Sequence, residues 1–342
     1  MGTAELSCNS LLWLAQDTRY RLAAVVTQPD KPKGRELHLQ PSPVKRLAEE
    51  LKLPVLQPAG ARDEEFIAEL RGLKPDLIVV VAYGHILPQA ILDLPRHGCL
   101  NVHASLLPKY RGAAPIQWAV ANGETETGVT IMQMDAGLDT GPILSQRGVL
   151  IRPSDDSQTL HDQLDLLGAE LLLDTIPDYV AGKIQPQPQP AEGISYAPKI
   201  KREDGHIDWN LPAQTILNRL RAFTPWPGAF TSWLGVPPLG GSVSRAILPP
   251  EGETPNQPRS ILLKIWKAEV MEGRDSALRC PDAAARRPDP GEILSADKTG
   301  IVVACGQNAL RILELQREGG KRLTAGQFLA GHPLRAGEKF RG

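Results

Sequence analysis

Six consecutive apolar residues, Leu77–Ala82 (L-I-V-V-V-A), set the tightest limit on the fold. A run without polar alternation needs cover on both faces, as the inner strands of parallel sheets have. Around it, helical spacing alternates with short apolar runs. Leu22–Thr27 reads as a buried strand, and Val44, Leu47, Ala48 and Leu51 fall on one helix face. Pro54–Leu56 is a short strand, and Asp63–Arg71 a second helix carrying Phe66, Ile67 and Leu70. This alternation predicts an α/β domain, Rossmann-like and doubly wound, with a mostly parallel sheet. Tyr83-Gly84 ends the apolar run at the edge where such sheets take ligands. No G-x-G-x-x-G follows any strand, so the dinucleotide fingerprint is absent.

The stretch Asn101–Pro115 (N-V-H-A-S-L-L-P-K-Y-R-G-A-A-P) carries the candidate chemistry. Cys99–His103 reads as a strand, and in a strand residues i and i+2 face the same way. Asn101 and His103 therefore share a side. One brings an amide that donates and accepts, the other a proton carrier near neutral pH. Ser105–Pro108 forms a loop, because Leu107 precedes a proline. Gly128–Met134 is a second β-rich run, followed by the turn Asp135-Ala136-Gly137-Leu138-Asp139-Thr140-Gly141. That turn places a carboxylate at the end of a neighbouring strand. On spacing alone, plainer roles also fit: His103 as a packing or surface residue, Asp139 as a turn former.

With 342 residues the chain has room for two domains, at about 100–200 residues each. Its net charge of −1 leaves no global basic field, so any RNA contact must use a local patch. Cys8, Cys99, Cys280 and Cys305 are scattered with no C-x-x-C pair, which argues against a zinc site or a disulfide framework. No run approaches the ~20 apolar residues of a membrane span. The opening residues carry Glu5 and lack a basic n-region, so no signal peptide is expected. A cytoplasmic protein that binds no metal is the expectation.

Further along, Pro115–Val120 begins a helix, Ile143–Ile151 is a strand, and Ser157–Ala181 is a long helix. Ile184–Glu192 (I-Q-P-Q-P-Q-P-A-E) alternates proline and fits neither a helix nor a central strand. The expected layout is a first domain over 1–183, a linker over 184–206 and a second domain over 207–342. The second domain starts with a helix near Ala213–Arg221. Short strands follow at Ala229–Leu234, Ile261–Val270, Gly291–Leu294, Gly300–Ala304 and Ala309–Leu315, the pattern of a small barrel. Pro237–Ser260 and Cys280–Pro290 read as extended loops. Lys264, Lys267, Lys321 and Arg322 would form a basic surface or simply a solvated face. Trp209 and Trp226 read as core or inter-domain residues rather than base-stacking platforms.

Asn101-x-His103 with Ser105-Leu106-Leu107-Pro108, Arg111-Gly112 and a later Asp139 resembles the folate-dependent formyltransferases. Pro41-Ser42-Pro43-Val44-Lys45, Val81-Ala82-Tyr83-Gly84, Ile86-Leu87-Pro88 and the run Gly128–Asp135 extend the resemblance to the methionyl-tRNA formyltransferase family. Gly137-Leu138-Asp139-Thr140-Gly141, Ile207-Asp208-Trp209 and Phe223-Thr224-Pro225-Trp226-Pro227-Gly228 do the same. The resemblance covers nearly the whole chain apart from residues 236–260. It implies a monomer with a C-terminal OB-like β-barrel that helps bind tRNA. It also implies that 10-formyltetrahydrofolate is the formyl donor and initiator methionyl-tRNA the acceptor. Asn101, His103 and Asp139 would then be catalytic. Tyr83, Gly84, Ser105, Leu106, Leu107 and Pro108 would line the folate site. Lys31, Lys33 and Arg35, in the proline-rich loop Gln28–Pro43, would contact the tRNA acceptor stem, although a solvated loop suits their charge as well. Lys109 and Arg111 would steer an anionic partner.

The family opens with a strand leading into G-T-x-E/D, and here Gly2-Thr3 stands at the start of the chain. The first strand is expected to be missing, through a start assigned too late or a truncated chain, with a real divergence of the sheet as the alternative. Two rival readings remain. One is a formyltransferase acting on an amino-sugar nucleotide, which shares N-x-H and S-L-L-P; P-S-P-V-K and M-D-A-G-L-D-T-G favour the tRNA enzyme. The other is a non-enzymatic RNA-binding protein, against which Asn101, His103 and Asp139 argue together.

Overall fold

The computed structural model describes residues 1–33, 38–235, 259–272 and 287–341. The chain falls into two units, Met1–Ala119 with Glu124–Lys199, and Val120–Gly123 with Ile200–Gly342. Residues 184–206, read as a linker, divide between them at Lys199.

The first unit begins with α1 (Cys8–Gln16), β1 (Val25–Val26), β2 (Lys31–Lys33), β3 (His38–Gln40), α2 (Pro43–Glu50), β4 (Val55–Leu56) and α3 (Glu64–Leu73). It continues through β5 (Ile78–Val80), α4 (Gln89–Leu92), β6 (Cys99–His103), β7 (Arg111–Gly112) and α5 (Pro115–Ala121), whose last two residues go with the second unit. β8 (Glu126–Gln133), β9 (Ile143–Leu150), α6 (Ser157–Val180) and β10 (Tyr196–Ala197) complete it. Helix starts follow local chemistry. The Ser42 hydroxyl accepts from the Lys45 N–H with Pro43 in the first turn, and the Asp63 carboxylate accepts from Glu65 and Phe66. Asp156 and Thr159 form a capping box at the start of α6.

The main sheet has the order β5-β6-β8-β9. β5 pairs with β6 in parallel, whereas β6–β8 and β8–β9 are antiparallel. Every residue of β6 is buried. α6 lies close over it: a Cβ at Gly168 would sit 2.9 Å from Val102 Cγ1. β6 thus sits between two strands and under a helix, a rigid mount for its end residues.

β1 and β4 form a separate parallel pair. Between β1 and β5 run the first residues of the chain. Gly2 N–H donates to Val26 O (2.9 Å), Val81 N–H donates to Met1 O (2.9 Å), and the Met1 ammonium donates to Val79 O (2.6 Å). Burial pulls that ammonium's pKa down to about 6. Beyond Met1, a cavity of about 610 Å³ opens between the two strand edges, lined by Leu14, Val25, Leu70, Leu77, Val79 and Ile176 among others.

Two stretches depart from the sequence reading. Gln28–Pro43 is not structureless, because β2 and β3 pair in antiparallel fashion with Lys31 opposite Gln40. That ribbon is held by backbone bonds and has no apolar alternation to betray it; Pro32 sits at its centre and Leu39 is 69% exposed. The Q-P-Q-P-Q-P stretch is not a free tether either. Gln187 N–H donates to Ile143 O (2.8 Å), and Ile143 N–H donates to Gln187 O (2.7 Å). Prolines lack the N–H, but the residues between them keep it, so such a strand can serve at a sheet edge. β10 then pairs in parallel with β7, with Tyr196 opposite Arg111 and Ala197 opposite Gly112.

The second unit carries α7 (Ala213–Phe223), β11 (Ala229–Gly235), β12 (Arg259–Met271), β13 (Ile293–Asp297) and β14 (Gly300–Ala304). β15 (Ala309–Arg317), β16 (Arg322–Thr324), α8 (Ala325–Gly331) and β17 (Phe340–Arg341) follow. The strands run β13-β14-β15-β12-β11-β17, with β16 beside β15. The curled sheet closes on itself next to β17. Ile293 N–H donates to Glu338 O (2.8 Å) and Phe340 N–H to Gly291 O (2.9 Å). Its core includes Trp209, Ile265, Leu315, Phe328 and Phe340. Trp209 stacks on Phe340 and donates to the Thr231 hydroxyl (3.0 Å). Trp226, read as a core or inter-domain residue, is instead 60% exposed. Pro237–Ser260 lies outside the described residues apart from the backbone of Arg259–Ser260, as does Cys280–Pro290 before Arg287.

Candidate active site

β6 delivers Asn101 and His103 to one side of the sheet, 9% and 5% exposed. The turn after β8 brings Asp139 to them. Asp135 does the turn-forming work there, its Oδ1 accepting from Gly137 N–H (3.0 Å) and from the Thr140 hydroxyl (2.7 Å). Asp139 is freed for another role and adopts a left-handed backbone, φ +51°. Its Oδ2 accepts from Gly112 N–H (2.8 Å) and lies 3.8 Å from His103 Nδ1. Its Oδ1 lies 3.4 Å from Asn101 Nδ2.

The histidine ring is oriented by the Tyr110 carbonyl, 3.0 Å from Nε2. A carbonyl only accepts, so this bond requires the proton on Nε2. Nδ1 is then the nitrogen that faces Asp139 and can gain or release a proton. The 3.8 Å separation is too long for a hydrogen bond. Asp139 supplies charge to the ring, and Tyr110 fixes its angle.

The loop Ser105–Pro108 is tied down from below. The Ser105 hydroxyl donates to Lys109 O (2.6 Å), spending its proton on the turn. Thr130, opposite His103 on β8, donates to Ser105 O (2.6 Å) and accepts from Leu107 N–H (3.1 Å). Gln146 Nε2 reaches both Leu107 O and the Thr130 hydroxyl, each at 2.9 Å. Thr130 is fully buried, with its hydroxyl saturated. Thr130→Val keeps the shape and strands a buried N–H and a carbonyl, at about 1–3 kcal/mol for each unsatisfied group. Urea unfolding is expected to show a loss of about 2–6 kcal/mol in stability. Gln146 belonged to no sequence motif, and Thr130 stood in the Gly128–Asp135 run without a role of its own; the structure pairs the two across β8 and β9.

Leu107 is buried and Leu106 and Pro108 are partly exposed. Tyr83 is 2% exposed, within the core, and its hydroxyl has no partner among the described residues. Burial raises the pKa of that phenol. The Tyr83 carbonyl accepts from the Thr3 hydroxyl (3.0 Å) and from Gln28 Nε2 (2.8 Å). Gly84 has φ +80°, and Gln28 Nε2 would lie 2.7 Å from a Cβ there, so a side chain would meet both strain and steric conflict. Two large apolar side chains are exposed on neighbouring stretches of chain: Ile86 (75%), two residues after Gly84, and Leu138 (54%), next to Asp139.

Arg111 is buried and donates through Nε (3.1 Å) and Nη2 (2.7 Å) to Gln189 Oε1, while Lys109 pairs with Glu124. Arg111 is therefore no surface cation for steering. Lys31 is exposed, its ammonium donating to Gln28. Lys33 ends β2, and Arg35 lies outside the described residues. In the second unit, Lys264 donates to Pro225 O (2.8 Å) and Arg322 pairs with Glu314; Lys267, Lys321 and Arg322 are exposed. Among the described residues, no three His, Cys, Asp or Glu side chains gather as a metal site. No helix there is long and apolar enough to cross a membrane.

Residues 8–176 match the family described as "Formyl transferase", and residues 199–333 match "Formyl transferase, C-terminal domain". The methionyl-tRNA formyltransferase of Geobacter metallireducens is 48% identical over 98% of this chain and 96% of its own. That of Caldanaerobacter subterraneus subsp. tengcongensis is 46% identical over 98% and 97%. Among solved structures, an N-formyltransferase from Helicobacter canadensis in complex with folinic acid and dTDP-3-aminofucose covers 91% of this chain and 96% of its own (TM-score 0.58, 17% identity). HypX from Aquifex aeolicus in complex with tetrahydrofolic acid covers 83% and 43% (TM-score 0.52, 20% identity). At these identities the two structures share the fold with this chain.

Proposed function

The chain belongs to the methionyl-tRNA formyltransferases, and on that premise we propose that Asn101, His103 and Asp139 move a formyl group from 10-formyltetrahydrofolate to the amino group of methionine on initiator tRNA. The product, N-formylmethionyl-tRNA, serves translation initiation. The observation that carries the assignment of residues is their convergence: Asp139 lies 3.4 Å from the Asn101 amide nitrogen and 3.8 Å from His103 Nδ1.

The neutral amine attacks the formyl carbon and the carbonyl oxygen gains charge. Asn101 Nδ2 and a protonated His103 Nδ1 donate to that oxygen, each donor of this kind being worth about 2.7–4 kcal/mol. Asp139, directly or through water, accepts the proton that the amine sheds and returns it to the departing folate nitrogen. Such acid–base catalysis contributes about 10²–10⁴-fold. Tyr110 and Gly112 hold the ring and the carboxylate in place through their backbones.

The surroundings suit a flat heterocycle. Ile86 and Leu138 offer exposed apolar faces beside the polar centre, and the loop Ser105–Pro108 is rigidly tied. Tyr83 and Gly84 contribute a fixed turn more than a side chain. Lys31, Lys33 and Arg35 remain our candidates for the tRNA acceptor stem.

Purified protein given 10-formyltetrahydrofolate should formylate initiator methionyl-tRNA and leave elongator methionyl-tRNA largely unmodified. A dTDP-linked amino-sugar is the parallel acceptor. Formylation of the sugar and not of the tRNA would overturn the reading.

A further inference from the structure

The extended segment Gln185–Pro190 sends one side chain into the active site. The Gln189 amide makes four hydrogen bonds there. Its Oε1 accepts from Arg111 Nε and Nη2, and its Nε2 donates to Asp139 O and Gly141 O, both at 2.8 Å. These partners fix the amide's orientation, because a flip would turn its NH₂ toward a guanidinium and its oxygen toward two carbonyls.

We propose that Gln189 is a positioning residue for formyl transfer, holding the turn that presents the Asp139 carboxylate while fixing Arg111. This rests on the catalytic reading of Asp139. A non-glycine residue in the left-handed region persists only where its surroundings over-determine it. Two restraints meet at Asp139: the Gln189 bond to its carbonyl and the Gly112 bond to its carboxylate. Gly112 follows Arg111, and Arg111 is bound by Gln189. The chain of contacts from the Asp139 carbonyl through Gln189, Arg111 and Gly112 back to the Asp139 carboxylate is therefore a closed ring.

Only a carboxamide meets all four demands. A glutamate would accept from Arg111 but would set a negative charge against two carbonyl oxygens. A lysine or arginine would donate to the carbonyls but would repel Arg111. The backbone supports the role as well. Gln189 precedes Pro190, which holds it in extended conformations. Gln187 is bonded in both directions to the start of β9, two residues away.

The test measures kcat and both KM values for Gln189→Met, Gln189→Glu and Asp139→Ala, and for Gln189→Met combined with Asp139→Ala. Misplacement of a reacting group by about 1 Å costs on the order of 10²-fold. Gln189→Met is expected to lower kcat about 10–100-fold with both KM values little changed, alongside a fall in Tm from the unpaired Arg111 and carbonyl groups. Gln189→Glu is expected to lose at least about tenfold, because accepting from Arg111 does not hold the turn. In the Asp139→Ala background, Gln189→Met should add nothing further. If Asp139→Ala collapses turnover while Gln189→Met keeps kcat within about twofold of the parent, the positioning role is overturned and the catalytic reading stands. If Asp139→Ala itself turns over normally, the catalytic reading fails first. A Gln189→Met loss confined to KM or Tm, or one that persists without Asp139, would make Gln189 merely structural and overturn the proposal.

Discussion

Replacing His103 with alanine is expected to lower kcat about 10²–10⁴-fold, the range for loss of a positioned acid–base group. His103 Nδ1 is the only nitrogen of the ring left to work, because Nε2 is committed to the Tyr110 carbonyl. No nearby side chain replaces it. Its partner across the strand pair is Thr130, whose hydroxyl is already saturated by Ser105, Leu107 and Gln146. The structural cost is modest. Losing the ring leaves one backbone carbonyl short of a donor, about 1–3 kcal/mol, and β6 keeps its pairings on both edges. The expected signature is a large fall in kcat with both KM values nearly unchanged, the mark of an interaction made chiefly in the transition state. Steady-state kinetics beside a thermal melt separates this from unfolding.

Asp139→Asn is expected to cost a similar factor, about 10²–10⁴ in kcat, for a different reason. The amide is isosteric and its oxygen still accepts from Gly112, so the turn should hold. It lacks the negative charge beside His103 and cannot take a proton from the attacking amine. Its NH₂ would also meet the Asn101 NH₂ where the carboxylate now accepts. Normal turnover by this variant would remove Asp139 from the mechanism.

Much of this site was legible because strand geometry is simple. Asn101 and His103 fall on one side of β6 by two-residue periodicity, and the all-apolar run over 77–82 placed its neighbour β5. Helices α2 and α3 announced themselves through apolar spacing, Val44, Leu47, Ala48 and Leu51 in one and Phe66, Ile67 and Leu70 in the other, and the structure adds their caps at Ser42 and Asp63. What the sequence hid is mostly backbone. Tyr110 orients the imidazole and Gly112 the carboxylate through main-chain groups, which no side-chain pattern encodes. The turn after β8 holds two aspartates that spacing alone does not rank; the resemblance picked Asp139, and the structure shows why, with Asp135 folding the turn and Asp139 facing the histidine. Gln189 was hidden by its context, since alternating proline reads as a tether until the N–H of Gln187 is found paired with Ile143. β2 and β3 escaped for a related reason: an exposed ribbon needs backbone partners and no buried face.

The central claim is that His103 and Asp139 act as one unit in formyl transfer. Residues that act as a unit lose catalysis non-additively. The deciding measurement is the single-turnover rate of formyl transfer from 10-formyltetrahydrofolate to initiator methionyl-tRNA by the His103→Ala/Asp139→Asn double variant, set against both single variants. The account predicts a rate within about threefold of the slower single variant. A loss equal to the product of the two single losses would contradict it.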